Sequence, residues 1–220
     1  MTDYKPVKGT HIRTGDDAAL MQRIIRSSED IAANFGCQPI RLPSLDSAPF
    51  YTEKLAPDLR MYEFADRKGR PLCLRPECTN TISAIADAFP ADTLVYYAER
   101  CWRYDKPQEG RYREFTQFGV EWLNPTSCDG EVEYEISLLA IQMLSAFLDR
   151  FDFELNLNVN RGSAYYKDAR GFEITCDLLG AQKQIVGGGR YKNGMGFAFG
   201  VERVMLAHKR SAECEGTKDD

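Results

Sequence analysis

Hydrophobic spacing divides the chain into a few helices and a larger set of strands. Leu20, Ile24, Ile31 and Phe35 predict an amphipathic helix over 16–36, with Thr14 or Asp16 as cap and Gly36 as stop. A short strand at Pro39–Leu42 closes at Pro43. Met61–Phe64 and Leu72–Leu74 flank the turn-rich 66–69 and predict a hairpin over 61–75. Pro76 suits the first position of a helix over 77–88. Residues 94–104 and 114–123 read as two strands joined by the polar loop 105–113. Val132, Ile136, Leu139, Met143 and Phe147 predict a helix over 131–149. Phe153–Asn160 alternates strictly and reads as a half-buried strand, and Gly171–Asp177 alternates similarly. The triple glycine 187–189 reads as a break after another short strand. A strand at 195–199 leads into a helix over 200–209. Residues 211–220, small and polar, read as a disordered tail. The order is that of an α+β fold with a mainly antiparallel sheet flanked by helices, rather than a βαβ repeat.

Composition narrows the class. A length of 220 residues with 43% hydrophobic content fits one compact domain with a sizeable core. The net charge of -5 argues against a surface that wraps a long nucleic acid. No apolar run approaches the ~20 residues of a membrane span, and the N-terminus lacks the apolar centre of a signal peptide, so a cytoplasmic protein is expected. The seven cysteines are scattered without a CxxC pair, and the only histidines, His11 and His208, lie near the chain ends. This predicts reduced, space-filling thiols, with neither a zinc site nor a histidine-based triad.

The candidate chemistry sits in the hairpin 94–123. Along 114–123, Phe115, Gln117, Gly119 and Glu121 share one face, and Thr116, Phe118, Val120 and Trp122 share the other. The first face carries an amide and a carboxylate around a glycine, which lets something approach the sheet closely. Such a face is either a ligand floor or a solvent-facing surface. Arg103, Arg111 and Arg113 cluster beside it. Three guanidiniums around one turn repel unless an anion faces them, and their planar forks match phosphate oxygens; the alternative is a solvated loop paired with Glu109 and Glu114.

These residues carry a resemblance. CWRYDKPQEGRYREFTQFGVE, 101–121, resembles motif 2 of the class II aminoacyl-tRNA synthetases, of the histidyl type. LRPECT (74–79) is similar to the family's amino-acid-binding segment. RGSAYY (161–166) and GGGRY (187–191) are similar to its later histidine-specific and glycine-rich segments. IRLPSLD (40–46) resembles motif 1, and GFAFGVERVML (196–206) resembles motif 3. Tyr165-Tyr166, the triple glycine or Arg203 taken singly read as ordinary structural residues, but the set runs in family order through residue 210.

The resemblance implies a class II synthetase/biotin-ligase-like catalytic domain over 1–210. It implies ATP- and Mg2+-dependent activation of histidine to histidyl-adenylate, with transfer to tRNA or another acceptor. Glu77, Thr79 and Gln117 would hold the α-amino group. Glu121 and Tyr166 would grip the imidazole, with Tyr165 shaping the pocket. Arg103 and Arg161 would act on the α-phosphate as catalytic residues, with Arg111 or Arg113 and Arg203 on the outer phosphates. No protein ligand to a metal is assigned. Motif 1 implies a homodimer.

Departures qualify the match. Cys78 stands where the family has glycine, Ser163 and Ala164 replace Leu and Asp, and Lys192 follows GGGRY. Only 39 residues separate Glu121 from Arg161, where the family carries an insertion domain, and 14 follow Leu206, where it carries an anticodon-binding domain. A non-catalytic histidine sensor, such as a regulatory subunit of ATP phosphoribosyltransferase, is the alternative; it would not need the phosphate arginines.

Overall fold

A computed structural model describes residues 4–52, 60–161, 163 and 166–216. Helix α1 (Gly15–Asn34) buries Leu20, Ile24, Ser28 and Ala32 along one stripe. Asp16 and Asp17 in its first turn complement the helix dipole, and Gly36, with φ of +93°, turns the chain out of the helix. Strand β1 (Gln38–Pro39) is shorter than the sequence suggests: it pairs with Val95 and Tyr96 alone, with one further bond from the Ile40 N–H to the Tyr96 carbonyl at 2.9 Å. Strand β2 (Leu45–Ser47), helix α2 (Ala48–Thr52) and the predicted hairpin, β3 (Glu63–Ala65) with β4 (Pro71–Leu74), come next. These strands form a small sheet in the order β2-β4-β3.

Helix α3 (Thr79–Ile85) starts two residues later than Pro76 implies. The Glu77 carboxylate accepts the Asn80 N–H at 2.8 Å and so caps the helix from outside. Strands β5 (Thr93–Trp102) and β6 (Glu114–Leu123) form the long central hairpin. Helix α4 (Asp129–Ser145) leads to β7 (Phe153–Asn160), β8 (Tyr166–Cys176), β9 (Gln184–Tyr191), β10 (Gly194–Gly200) and α5 (Val201–Gly216). The large sheet runs β1-β5-β6-β10-β9-β8-β7, parallel only at β1–β5.

The apolar face of β6 meets the helices. Phe118 and Val120 are fully buried with Ile24 of α1, Ile136 and Ala140 of α4, and Val204 of α5. On the other face, Ile82 and Ala86 pack with Val95, Tyr97 and Cys101 beneath α3. The rest of that face is left for a cavity.

Two expectations change. The triple glycine is not a break: it lies inside β9, paired with β8 and β10. A Cβ on Gly188 would overlap the Phe172 ring and come within 2.8 Å of the Gly196 carbonyl, so the strand carries glycine to admit its neighbours. Part of the expected tail is helix. Helix α5 continues through residues 211–216 because its second half is anchored. Arg210 donates to the Leu178 carbonyl and pairs with Glu109, both at 2.6 Å, and the Ser211 hydroxyl donates to Asp152 at 2.7 Å. Residues 217–220 lie outside the described residues.

Arg75 joins the pieces around the cavity. Its side chain is wholly buried and donates to the carbonyls of Leu42 (2.9 Å), Pro43 (2.7 Å) and Arg100 (2.8 Å), and to Glu99 (3.0 Å). Its own backbone receives Trp102 N–H and gives its N–H to Ser44.

Overpacking a tight core usually costs about 1–3 kcal/mol. Gly188→Ala is expected to lower the unfolding free energy by that amount, measured by urea titration. An unchanged midpoint would show that Phe172 yields without cost.

Candidate functional site

A cavity of about 600 Å³ opens between β6, the loop 103–113, the β8–β9 face and the start of α5. Its walls include Glu77, Thr79, Gln117 and Tyr166 together with Arg103, Arg111, Arg161 and Arg203. The sequence-predicted groups among the described residues are thus largely brought together, with Arg113 and Glu121 as the exceptions.

The Gln117 side chain is fixed by what lies behind it. Its Oε1 accepts the Cys78 backbone N–H at 2.9 Å and faces the Cys101 thiol at 3.5 Å. A backbone N–H can only donate, so the amide oxygen points inward and the NH2 group faces the cavity. Cys78, bulkier than the family's glycine, turns its side chain towards Cys101, with the sulfurs 3.8 Å apart, and does not line the cavity.

Glu121 departs from expectation. Its side chain is completely buried and is absent from the cavity wall. Thr79 donates its hydroxyl to Oε1 at 2.8 Å, and the hydroxyls of Tyr97 and Tyr191 bear on the same carboxyl. The close approach permitted by Gly119 is that of Tyr97, whose ring occupies the space a Cβ there would need. Burial pushes the Glu121 carboxyl up to about 8, with the hydroxyls pulling the other way.

The arginines divide. Arg103 donates Nε to the Pro76 carbonyl at 2.8 Å, and its guanidinium lies 5.1 Å from the Phe115 ring centroid. Arg111 is held by Asp105 Oδ2 through Nε (3.0 Å) and Nη2 (2.9 Å). Arg113 turns away from the cavity: it donates Nε to the Asp105 carbonyl at 3.0 Å and lies over the Tyr104 ring. Arg113 leads directly into β6, and the turn into that strand sets its direction apart from that of Arg111.

Arg161 stands over the β8–β9 face, its guanidinium 5.3 Å from the Tyr166 ring centroid and close against Gly187. Arg203 donates to the carbonyls of Gly110 (3.2 Å) and Gln182. The Nε atoms of Arg161 and Arg203 are buried and make no hydrogen bond among the described residues. Burial and the neighbouring Arg111 hold the Arg203 guanidinium below its ordinary range. Tyr165 lies outside the described residues.

Sequence reasoning passes over two anchors. The Glu202 carboxylate accepts the Thr116 N–H at 3.0 and 3.1 Å, taking over the ladder where β10 ends at Gly200 and fixing the start of α5, and so Arg203. Asp105 sets Arg111. Glu202 carries a signal of its own: an acid directly beside a proposed phosphate arginine. Among the described residues, no cluster of three or more His, Cys, Asp or Glu is placed to hold a metal. No helix among them is long and apolar enough to cross a membrane.

The family model for histidyl-tRNA synthetase matches residues 9–150, more than half of the chain. The chain belongs to the histidyl-tRNA synthetase family. A histidine–tRNA ligase of Campylobacter hominis is 32% identical over 167 residues, covering 70% of this chain but 38% of that protein. The chain spans about two fifths of the length of the relatives it matches. Two solved structures share the fold. A histidine–tRNA ligase subunit from Alicyclobacillus acidocaldarius superposes with a TM-score of 0.78 at 15% identity, covering 97% of this chain and 98% of its own. A Bacillus halodurans protein described as an ATP phosphoribosyltransferase regulatory subunit/histidyl-tRNA synthetase gives 0.73 at 15% identity, with 96% and 84% covered. The synthetase-type catalytic core read from the motifs is therefore what the chain folds into.

The buried Glu121 has a measurable consequence for this synthetase-family core. An unfolded glutamate ionises near 4.5, whereas the folded one keeps its proton until about 8. Between these values the native state binds the extra proton, so stability falls as pH rises, by up to about 1.4 kcal/mol per unit, and levels off outside the window. Glu121→Gln removes the titration. Its unfolding free energy relative to the parent should rise from about pH 5 to about pH 8; a pH-independent difference in urea titrations would mean that Glu121 is ionised throughout.

Proposed function

We propose that this chain activates histidine with ATP. The supporting observation is the pair Arg111 and Arg203, where burial first and the nearby Arg111 second depress the basicity of Arg203, with, among the described residues, only carbonyl partners on Arg203 and buried, unpartnered Nε atoms on Arg203 and Arg161. Buried cations without acids are costly, and a polyphosphate answers both the repulsion and the missing acceptors.

In this reading a histidine carboxylate oxygen attacks the α-phosphorus, an O–P bond forms, and the bond to pyrophosphate breaks. The chemistry needs alignment and charge neutralisation more than proton transfer. Arg103 and Arg161 flank the reacting phosphate, while Arg111 and Arg203 hold the outer ones. Magnesium arrives on the nucleotide. The inward-pointing Gln117 oxygen leaves its NH2 to donate to the carboxyl end of the amino acid. Glu77 and Thr79 remain for the α-amino group, and Tyr166 for the imidazole. Glu121 acts on the imidazole only after Thr79, Tyr97 and Tyr191 give way, and Tyr165 completes the pocket wall. Arg113 supports the loop rather than a phosphate. The adenylate passes to tRNA or another nucleophile, in the cytoplasm. A non-catalytic histidine sensor would use the same amino-acid groups and leave the cations without purpose.

We also propose a homodimer. Leu45 and Phe64, 52% and 44% exposed, project from the small sheet, opposite Leu74 and Leu72, and offer apolar surface to a second copy.

Histidine-dependent ATP–pyrophosphate exchange without tRNA tests the first reading. Arg161→Ala should lower kcat about a hundredfold or more, with histidine binding changed little, because the charge it answers grows in the transition state. Histidine binding without exchange in the parent chain would favour the sensor. For the second, sedimentation should give a dimer for the parent and a monomer for Leu45→Asp; a monomeric parent with full exchange activity would remove the dimer from the scheme.

A further inference from the structure

The arginines of the cavity depend on the loop 103–113, and the segment before α1 grips that loop from outside. A tight turn, with Thr10 N–H and hydroxyl both donating to the Val7 carbonyl (2.9 and 2.8 Å), places Gly9 at φ of +86°. The Gly9 carbonyl then accepts the Arg113 N–H at 2.8 Å. The next residues clasp Tyr112: the His11 ring meets it edge to face at 4.4 Å, and the Arg13 guanidinium lies 5.6 Å from its centroid. Tyr112 and Arg111 both line the cavity.

Helix α5 holds the opposite side, through Arg203 to the Gly110 carbonyl and Arg210 to Glu109. Lys209–Asp17 and Arg23–His208 tie α5 to α1, which continues from the arm at Gly15. Arm, α1, α5 and loop thus close a ring of contacts.

We propose that residues 7–13 are a positioning element for nucleotide binding, with Gly9 the residue on which the fit depends. This rests on the ATP reading above. The arm does not touch the phosphate-facing groups. It holds Tyr112 and Arg113, the two residues directly after Arg111, so that the gap between Arg111 and Arg203 is set before the nucleotide arrives. A loop held in its competent position spares the ligand that ordering, and a loop competent only part of the time lowers apparent affinity by that fraction. No side chain fits at Gly9. The backbone there is left-handed, and a Cβ would lie 2.8 Å from both Arg113 Cγ and Pro107 Cγ, pushing the arm off the loop.

The test uses the full chain and Gly9→Ala, with His11→Ala as a milder second variant. Calorimetry should show ATP binding weakened about tenfold in Gly9→Ala and about threefold in His11→Ala, with histidine affinity within about twofold of the parent. Hydrogen exchange, which needs no ligand, should speed up across 105–113 in Gly9→Ala and stay unchanged across 117–121. Unchanged exchange in the loop overturns the proposal. So does parallel loss of ATP and histidine affinity with a lowered unfolding midpoint, because the arm would then be a general stabiliser. A parent that binds histidine but not ATP would instead sink the activation reading, and loop exchange would still decide the role of the arm.

Discussion

A buried guanidinium draws its partners from inside the protein, and the two Nη atoms of Arg75 find theirs on two separate stretches of chain, while its Nε has none among the described residues. Its donors reach the carbonyls of Leu42 and Pro43 on one, and on the other the Arg100 carbonyl and the Glu99 carboxylate near the end of β5. Losing any one of these acceptors would leave a buried donor unpaired, and losing Glu99 would leave the charge without its acid, so these stretches and the one that carries Arg75 cannot drift apart cheaply. The residues directly after Arg75 inherit that rigidity. The Pro76 carbonyl receives Arg103, Glu77 caps α3, and the Cys78 N–H aims Gln117. One wall of the cavity is therefore a consequence of how a buried cation is satisfied below it. Glu202 has the corresponding role at the start of α5, where its carboxylate takes the Thr116 N–H and seats Arg203.

The bounds of two strands are legible from the sequence: 114–123 and 153–160 are those of β6 and β7. The alternation itself is only partly kept, because β6 is buried on both faces and a register shift in β7, with Asn158 at φ of +58°, leaves Leu157 exposed. Motifs bring Glu77, Gln117, Arg103, Arg111, Arg161 and Arg203 to one cavity although they lie far apart in the chain. The features that stay hidden depend on partners distant in sequence. The triple glycine looks like punctuation unless Phe172 and Gly196 are known to press on it. Residues 211–216 look like a tail unless Leu178, Glu109 and Asp152 are known to await the end of α5. Proximity alone groups Arg113 with Arg111, whereas the turn into β6 sends the two apart. The strand period puts Glu121 on the correct face, but its depth beneath Tyr97, Tyr191 and Thr79 is set by β5, β9 and α3, and no local pattern reports it.

Two sets of residues that line the cavity follow different electrostatic principles. Glu77, Thr79 and Gln117 each have a polar atom engaged by the protein itself: with the Asn80 N–H, the Glu121 carboxyl and the Cys78 N–H. A ligand meeting these groups exchanges hydrogen bonds, and its net gain per bond is modest, about 0.5–1.5 kcal/mol. At the arginines, positive groups are held near one another by backbone carbonyls, by Asp105 on Arg111 and by packing, with donors left over on Arg161 and Arg203 among the described residues. An anion entering there relieves repulsion that folding has imposed and supplies acceptors that the chain lacks. The selectivity of the first set thus comes from the shape and direction of polar groups already oriented by the protein, and the binding strength of the second from charge left unsatisfied. The loop 103–113 touches both sets, since Arg103 donates to the Pro76 carbonyl while the Gly110 carbonyl is held by Arg203.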